Sequence, residues 1–370
     1  MDFSIEDFRI AAQDAGKSEA YIDEHVNMAR RLLSNGLPVI FDVGHLAHYM
    51  NLSKRRLMEI AEKKDYYCYL APKKNGGKRR IIVPNDNLKM VQKWINIHIL
   101  QAIEPLECVT GFVKGKSIVN NARIHRNKRY VLNLDLKDFF ESITRERIER
   151  LFYSIGYKHE IALFLADICT TTIDKKYIHW RFNAQNALHF EPLFNKHEPF
   201  LVQGAPTSPA IANMVCYGMD KKLMKYAERH GINYSRYADD ITFSADNLED
   251  LPKVKYIKRL VAEEHFIIND QKTKLLKEGM RQEVTGLLIN GHVRITRAYK
   301  KDIYRHLHFC LKYGGLSHFN HIHTHYNMSR DWLLGRIFYV NAVEPEEAKK
   351  MLYLFNQVDW LKEDSQVQNR

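Results

Sequence analysis

Cysteine and uninterrupted hydrophobic sequence are both scarce in this chain of 370 residues. Its five cysteines, Cys68, Cys108, Cys169, Cys216 and Cys310, are odd in number and scattered, and none form a Cys-x-x-Cys pair. That excludes a disulfide framework and a thiolate zinc site, and fits free buried thiols in a reducing cytoplasm. No apolar run approaches the ~20 residues of a membrane-spanning helix, so no membrane partner is expected. The opening Met1-Asp2-Phe3-Ser4-Ile5-Glu6-Asp7 is acidic and lacks the signal-peptide pattern. Internal repeats and low-complexity segments are also missing. Acidic residues are outnumbered, 44 against 56 Lys and Arg, for a formal charge of +12. A basic excess of this size suggests a polyanion partner, nucleic acid before anionic membrane. The apolar share of 45% excludes wholesale disorder, and the length allows two or three packed domains.

Residues 1–65 read as helical. Ser18 can cap a helix carrying Tyr21, Ile22, Val26, Met28, Ala29, Leu32 and Leu33, which Gly36 and Pro38 end. The pair His45–Met50 and Ser53–Lys63 resembles a helix-turn-helix, although an ordinary helical hairpin is the stronger reading. Tyr66–Leu70 and Arg79–Pro84 read as strands around the basic turn Lys73–Lys78. A helix is expected from Leu88 to about Ile103, a strand over Val131–Leu136, and helix over 144–172. Residues 173–200 are rich in His, aromatic and basic residues with little periodicity, which suggests an insertion or long connection. Helix returns over 250–265, short strands follow to about 296, and 297–360 is helical. The order of elements in the middle suits an α+β layer with an antiparallel sheet.

Tyr237-Ala238-Asp239-Asp240 carries the most information about chemistry. Flanked by Tyr234 and by Ile241-Thr242-Phe243, it reads as a hairpin with two carboxylates at its tip. Adjacent carboxylates repel unless a cation neutralises them. Asp135 ends another apolar strand, where a buried acid needs a partner. If the strands pair, Asp135, Asp239 and Asp240 converge, and two Mg²⁺ ions about 3.5–4 Å apart would satisfy them, with the Leu136 carbonyl as a further hard oxygen. Gln203-Gly204-Ala205-Pro206-Thr207-Ser208-Pro209 is a turn feeding a small-residue helix, where Gly204 would let a base or sugar approach the backbone. Lys78, Arg79 and Arg80 could cradle a triphosphate, or could be a solvated basic turn. Arg297, Tyr299, Lys300, Lys301, Tyr304, Arg305, His306, Lys312 and Tyr313 mix basic and aromatic character, which suits RNA through phosphate contact and stacking. His318, His321, His323 and His325 lack the Cys or acid partners of a zinc site and read as a surface or nucleic-acid-facing cluster.

In order along the chain, these segments resemble the motifs of reverse transcriptases. Asn75–Pro84 is similar to the fingers hairpin and Gly111–Ile118 to the next fingers block. Val131–Phe140, Gln203–Asn213 and Tyr234–Ser244 are similar to the palm motifs, Asn269–Thr273 to the one that follows, and Val284–Leu287 to the primer grip. Asn121-Ala122-Arg123-Ile124-His125 and Val284-Thr285-Gly286 resemble the two short signatures of bacterial retron reverse transcriptases. The stretch 173–200 is longer than many relatives carry.

The resemblance implies a right-hand polymerase: an N-terminal helical region 1–65, fingers 66–130, a palm 131–296 with antiparallel sheet and the insertion near 173–200, and a helical thumb and tail 297–370. It implies Asp135, Asp239 and Asp240 as catalytic acids and, with Leu136, as ligands of two Mg²⁺. Lys78, Arg80, Phe140, Gln203, Gly204 and Lys272 would serve the deoxynucleoside triphosphate. The Phe140 ring would clash with a 2′-hydroxyl, and Lys272 would protonate pyrophosphate. Asn121, His125, Val284, Thr285, Gly286, Arg297, Tyr299, Lys301 and Arg305 would contact RNA. The implied partners are a structured non-coding RNA, its cDNA product and an effector protein of an antiphage system. The RNA would serve as template and, through a guanosine 2′-hydroxyl, as primer, giving branched msDNA. The part past residue 296 has room for a thumb but not also an RNase H domain, so a separate nuclease is expected. Two alternatives stay open: a defence polymerase independent of retron RNA, and a catalytically silent nucleic-acid-binding protein on a polymerase scaffold.

Overall fold

The computed structural model describes residues 3–73, 76–322 and 329–361. Lys74 and Asn75 of the basic turn, and His323 and His325 of the histidine cluster, lie outside the described residues. The chain divides into two compact units. One comprises 1–113, 135–225 and 253–269, and the other 114–134, 226–252 and 270–370.

The first unit begins with four capped helices. Ser18 accepts a hydrogen bond from the Tyr21 amide (3.3 Å) and starts helix Glu19–Ser34. Ile22, Val26, Ala29 and Leu32 fall on its buried face, as the 3.6-residue period requires. Gly36, at φ +67°, takes the left-handed conformation past its end. Helices Val43–Tyr49 and Lys54–Lys63 are capped by Asp42 and Ser53. Strands β1 (Tyr66–Pro72) and β2 (Lys78–Pro84) then pair antiparallel, Tyr66 opposite Pro84 and Pro72 opposite Lys78. Helix Asp86–His98 follows, capped by Asn85.

Residues 173–200, expected as an insertion or long connection, build part of this unit's core. They form helices Lys175–Arg181, Ala184–Ala187 and Glu191–Phe194. Ile178, Phe190, Leu193 and Phe200 pack with Cys68 and Ile82 of the β1–β2 hairpin. The helices are too short, seven, four and four residues, for a 3.6-residue period to emerge in the sequence. The expected helix 144–172 is two helices, Arg145–Ser154 and His159–Cys169, broken at Gly156, whose φ is +120°.

The second unit holds a four-stranded sheet of β3 (Tyr130–Asp135), β4 (Asn233–Tyr237), β5 (Asp240–Ala245) and β6 (Lys274–Lys277), in the order β4-β5-β3-β6. β4 pairs antiparallel with β5, and β3 antiparallel with β6. The last residue of β3, Asp135, counts with the first unit. A small hairpin, β7 (Glu283–Val284) and β8 (Leu287–Leu288), turns through Thr285 and Gly286, at φ +48° and +83°. Positive φ at both central residues matches the twist of a two-residue hairpin and accounts for the glycine of Val-Thr-Gly. Helix Ile118–Ile124 contributes Val119 and Ala122 to a core shared with Val131, Val284 and Leu287. That core continues through helices Arg297–Tyr313, Arg330–Asn341 and Pro345–Asn356. Helices and an antiparallel sheet together make the α+β class expected. Among the described residues no helix is long and apolar enough to cross a membrane.

Candidate active site

The acidic hairpin has the tightest turn available. Tyr237 pairs with Asp240, so Ala238 and Asp239 alone connect β4 to β5. Ala238 sits at φ +57°, where a Cβ costs on the order of 1–2 kcal/mol. Such strain persists only where the surroundings enforce it. Arg236, fully buried, donates from Nη1 to the Ala238 carbonyl (3.1 Å) and so grips the turn from behind. Asp239 is half-buried and Asp240 exposed. Burial, and then the negative field of Asp240, pushes the Tyr237 phenol above its ordinary range. Beside β5 runs β3, with Thr242 Oγ1 donating to Asn133 Oδ1 (3.2 Å). β3 ends on Asp135, which is 6% exposed.

In the first unit, Asp135 is fastened to Asn269, whose backbone N–H donates to the Asp135 carbonyl (2.8 Å) and whose Nδ2 donates to Oδ1 (3.4 Å). Leu136 forms an antiparallel bridge with Ile268, closed by the groups of Asp135, Lys137, Ile267 and Asn269. The two phenylalanines then diverge. Phe139 is buried against Phe266 (5.7 Å between centroids), while Phe140 stays half-buried with Phe112 at 6.3 Å.

The same unit brings most of the expected nucleotide residues together. Arg80 of β2 donates to Asp138 (3.3 Å), to Glu141 (3.0 Å) and to the His189 carbonyl (3.0 Å). It is therefore a paired cation and not the solvated turn residue that its neighbours in sequence suggest. Lys78 donates to Asn186 Oδ1. The Gln203 carbonyl accepts from the Ile82 amide of β2 (2.8 Å). Gly204, at φ +127°, lies so close to β2 that a Cβ would stand 2.7 Å from the Ile82 carbonyl oxygen. Gly204 was expected to admit a base or sugar; here the close approach is made by the chain's own strand. Lys272 belongs to the second unit, exposed on the short turn Asp270–Lys272.

Residues expected on RNA fall into two groups. Arg297, Lys301 and Arg305, four residues apart, make one exposed face of helix Arg297–Tyr313. Thr285 and Gly286 reach the surface at the β7–β8 turn, with Val284 buried beneath. Tyr299, by contrast, packs edge-on to Tyr339 (5.3 Å) with the Arg336 guanidinium 4.5 Å from its ring. Asn121 and His125 are also turned inward, both at 0% exposure, with their polar atoms toward Ser235 and Ser244 of the acidic hairpin. Ser235, Ser244, Asp138 and Glu141 were missed as site residues. One signal was present: Asn233 and Ser235 face Thr242 and Ser244 across β4–β5, a run of small polar residues on one face of the hairpin. His318 is not a surface residue either. It is buried with Nε2 3.0 Å from His306 Nδ1, and burial lowers its pKa to about 4.

Among the described residues no three His, Cys, Asp or Glu side chains form a ready metal cage. An exposed Asp240 beside a half-buried Asp239 is instead an open, oxygen-only donor set. That suits Mg²⁺, which keeps waters and relies on one or two carboxylates plus substrate phosphates.

Comparison with known proteins gives the class first. The family described as reverse transcriptase (RNA-dependent DNA polymerase) matches residues 71–294, and the chain belongs to it. The branch follows from individual relatives. Retron Mx65 reverse transcriptase of Myxococcus xanthus is 32% identical over 310 residues, covering 84% of this chain and 67% of that protein. Retron Ec86 reverse transcriptase of Escherichia coli is 31% identical over 296 residues, covering 78% and 84%. These likenesses support a bacterial retron reverse transcriptase, an RNA-directed DNA polymerase. A solved telomerase of Candida albicans, in complex with a telomeric RNA fragment, aligns at TM-score 0.42 and 10% identity, covering 85% of this chain and 60% of that one. That likeness is too slight to bear on the assignment.

Proposed function

We propose that Asp135, Asp239 and Asp240 are the catalytic acids of DNA synthesis on a structured non-coding RNA. The observation that carries this is the acidic hairpin, whose Asp239 and Asp240 occupy the turn and first position of β5, the strand beside β3 and its terminal Asp135. Two Mg²⁺ held there, with the Leu136 carbonyl assisting, would activate the attacking hydroxyl and neutralise the leaving pyrophosphate. The chain's own part is positioning. The strained Ala238 turn, gripped by Arg236, holds the acids where charge develops. Half-buried Phe140 stands under the incoming sugar and excludes a 2′-hydroxyl. Gln203 and Gly204 border that site, and Lys78 and Arg80 supply positive charge toward the triphosphate, with Arg80 oriented by Asp138 and Glu141. Lys272 donates the proton to pyrophosphate.

In domain terms, 66–130 serves as fingers, 131–296 as palm and 297–370 as thumb. The face Arg297, Lys301 and Arg305, with the Thr285–Gly286 turn, meets RNA phosphates. By likeness to the retron enzymes, the RNA is both template and primer, synthesis starts at a guanosine 2′-hydroxyl, and the branched product serves antiphage defence with an effector protein. The double variant Asp239→Asn/Asp240→Asn tests the assignment by primer extension and RNA filter binding. Extension is expected to fall by at least about 10³-fold, with RNA affinity retained. Extension at the unaltered rate overturns it.

A further inference from the structure

The Asn121 and His125 side chains are engaged far from solvent, and their hydrogen bonds can be assigned proton by proton. Ser235 Oγ lies 2.6 Å from Asn121 Oδ1, which can only accept, so Ser235 donates there. Ser235 Oγ therefore accepts from His125 Nε2 (2.7 Å), which must carry the ring proton. His125 Nδ1 is then bare and accepts from the Ser244 hydroxyl (2.8 Å). Asn233 Nδ2 completes the set, donating to the Ile124 carbonyl (2.6 Å) and to Ser244 Oγ (3.4 Å). Asn121, His125, Ser235 and Ser244 are all at 0% exposure. One neutral imidazole thus bridges both strands of the acidic hairpin, Ser235 on β4 and Ser244 on β5. Side chains alternate along a strand, so Ser244 shares its face of β5 with Thr242 and Asp240. The ring is anchored in turn by helix Ile118–Ile124, whose Val119 and Ala122 are fixed in the second unit's core.

We infer that Asn121 and His125 are positioning residues for catalysis: they clamp the β4–β5 hairpin and set the place of Asp239 and Asp240, and they do not contact RNA. This rests on the reading of those aspartates as catalytic acids. The clamp predicts a defect in turnover on any template, whereas an RNA contact predicts a defect in binding the cognate RNA.

The test uses the full chain on a homopolymer template–primer, poly(rA)–oligo(dT), with turnover normalised to bound template–primer. His125→Phe keeps a flat ring and removes both hydrogen bonds. It is expected to lower kcat by about 10²-fold, the cost of ångström-scale misplacement, while KM for dTTP and the Kd for template–primer stay near the parent values. His125→Gln, whose amide can accept from Ser244 and donate to Ser235, is expected to recover most of kcat. Ser244→Ala, a smaller lesion that removes one of the ring's two hydrogen bonds, is expected to give an intermediate loss. The inference is overturned if kcat holds in His125→Phe while RNA affinity drops, or if Phe and Gln variants lose folded protein and turnover alike. Asp239→Asn serves as the reference. If it is inactive and His125→Phe turns over normally, only the clamp fails; if Asp239→Asn is itself active, the catalytic reading and the clamp fail together.

Discussion

Two hairpins of this chain have opposite charge and opposite construction. In β1–β2 the register runs from Tyr66–Pro84 to Pro72–Lys78, and the chain crosses through a longer basic turn. Its arginine is steadied by ion pairs from elsewhere in its unit, Asp138 and Glu141. In β4–β5 two residues make the whole turn, one of them strained, with a buried arginine behind it and a buried histidine across both strands. The difference follows from the work proposed for each. Cations that meet a flexible triphosphate tolerate play, because Coulomb attraction varies slowly with distance. Carboxylates that must hold reacting atoms do not, since catalysis depends on sub-ångström placement.

Three perturbations would sharpen or break this contrast. The first falls where the Ile82 amide of the basic hairpin meets the Gln203 carbonyl. Gly204→Ala would drive a Cβ into the Ile82 carbonyl at 2.7 Å and impose a left-handed φ on a residue with a side chain. A loss of about 3 kcal/mol is expected in urea unfolding; an unchanged midpoint would show that β2 moves freely there.

The second perturbation is acid. Burial lowers the His125 pKa from 6.5 to about 3. Below pH 6.5 the unfolded chain takes up this proton and the folded chain does not, so the neutral ring's contribution is complete above 6.5 and is lost as pH falls toward about 3. The slope is about 1.4 kcal/mol per pH unit. Chemical unfolding followed over that window should show it, and His125→Gln should flatten it. An equal slope in the variant would place the titration elsewhere.

The smallest change is Ala238→Gly. It relieves the left-handed alanine at the acidic turn and is expected to raise stability by about 1 kcal/mol while slowing turnover, because the turn gains freedom. Thermal melting paired with primer extension checks both signs; greater stability with faster synthesis would mean that strain at Ala238 does nothing for the acids.

Local features were largely legible. Ser18 as a cap, Gly36 as a stop and the acids at a hairpin tip all rest on contacts a few residues long, and the structure contains each. The segment 173–200 was not legible, since its apolar residues answer to the β1–β2 hairpin and not to their own short helices. At Gly204 sequence shows that a side chain is missing, and only the structure shows that β2 stands where a Cβ would be. Asn121 and His125 were expected on RNA by resemblance and Tyr299 by its chemistry; the fold buries the first two and packs the third against Tyr339.

What the amino-acid order determined by itself was the hairpins, the helix ends and the presence of three aspartates in polymerase-like spacing, because turn geometry and periodicity are short-range. Only the tertiary structure decided the partners. Ser235 is 110 residues from His125, and Glu141 is 61 from Arg80. Hydrogen bonds and ion pairs over such separations are chosen by packing, which joins distant segments and leaves no period in the chain.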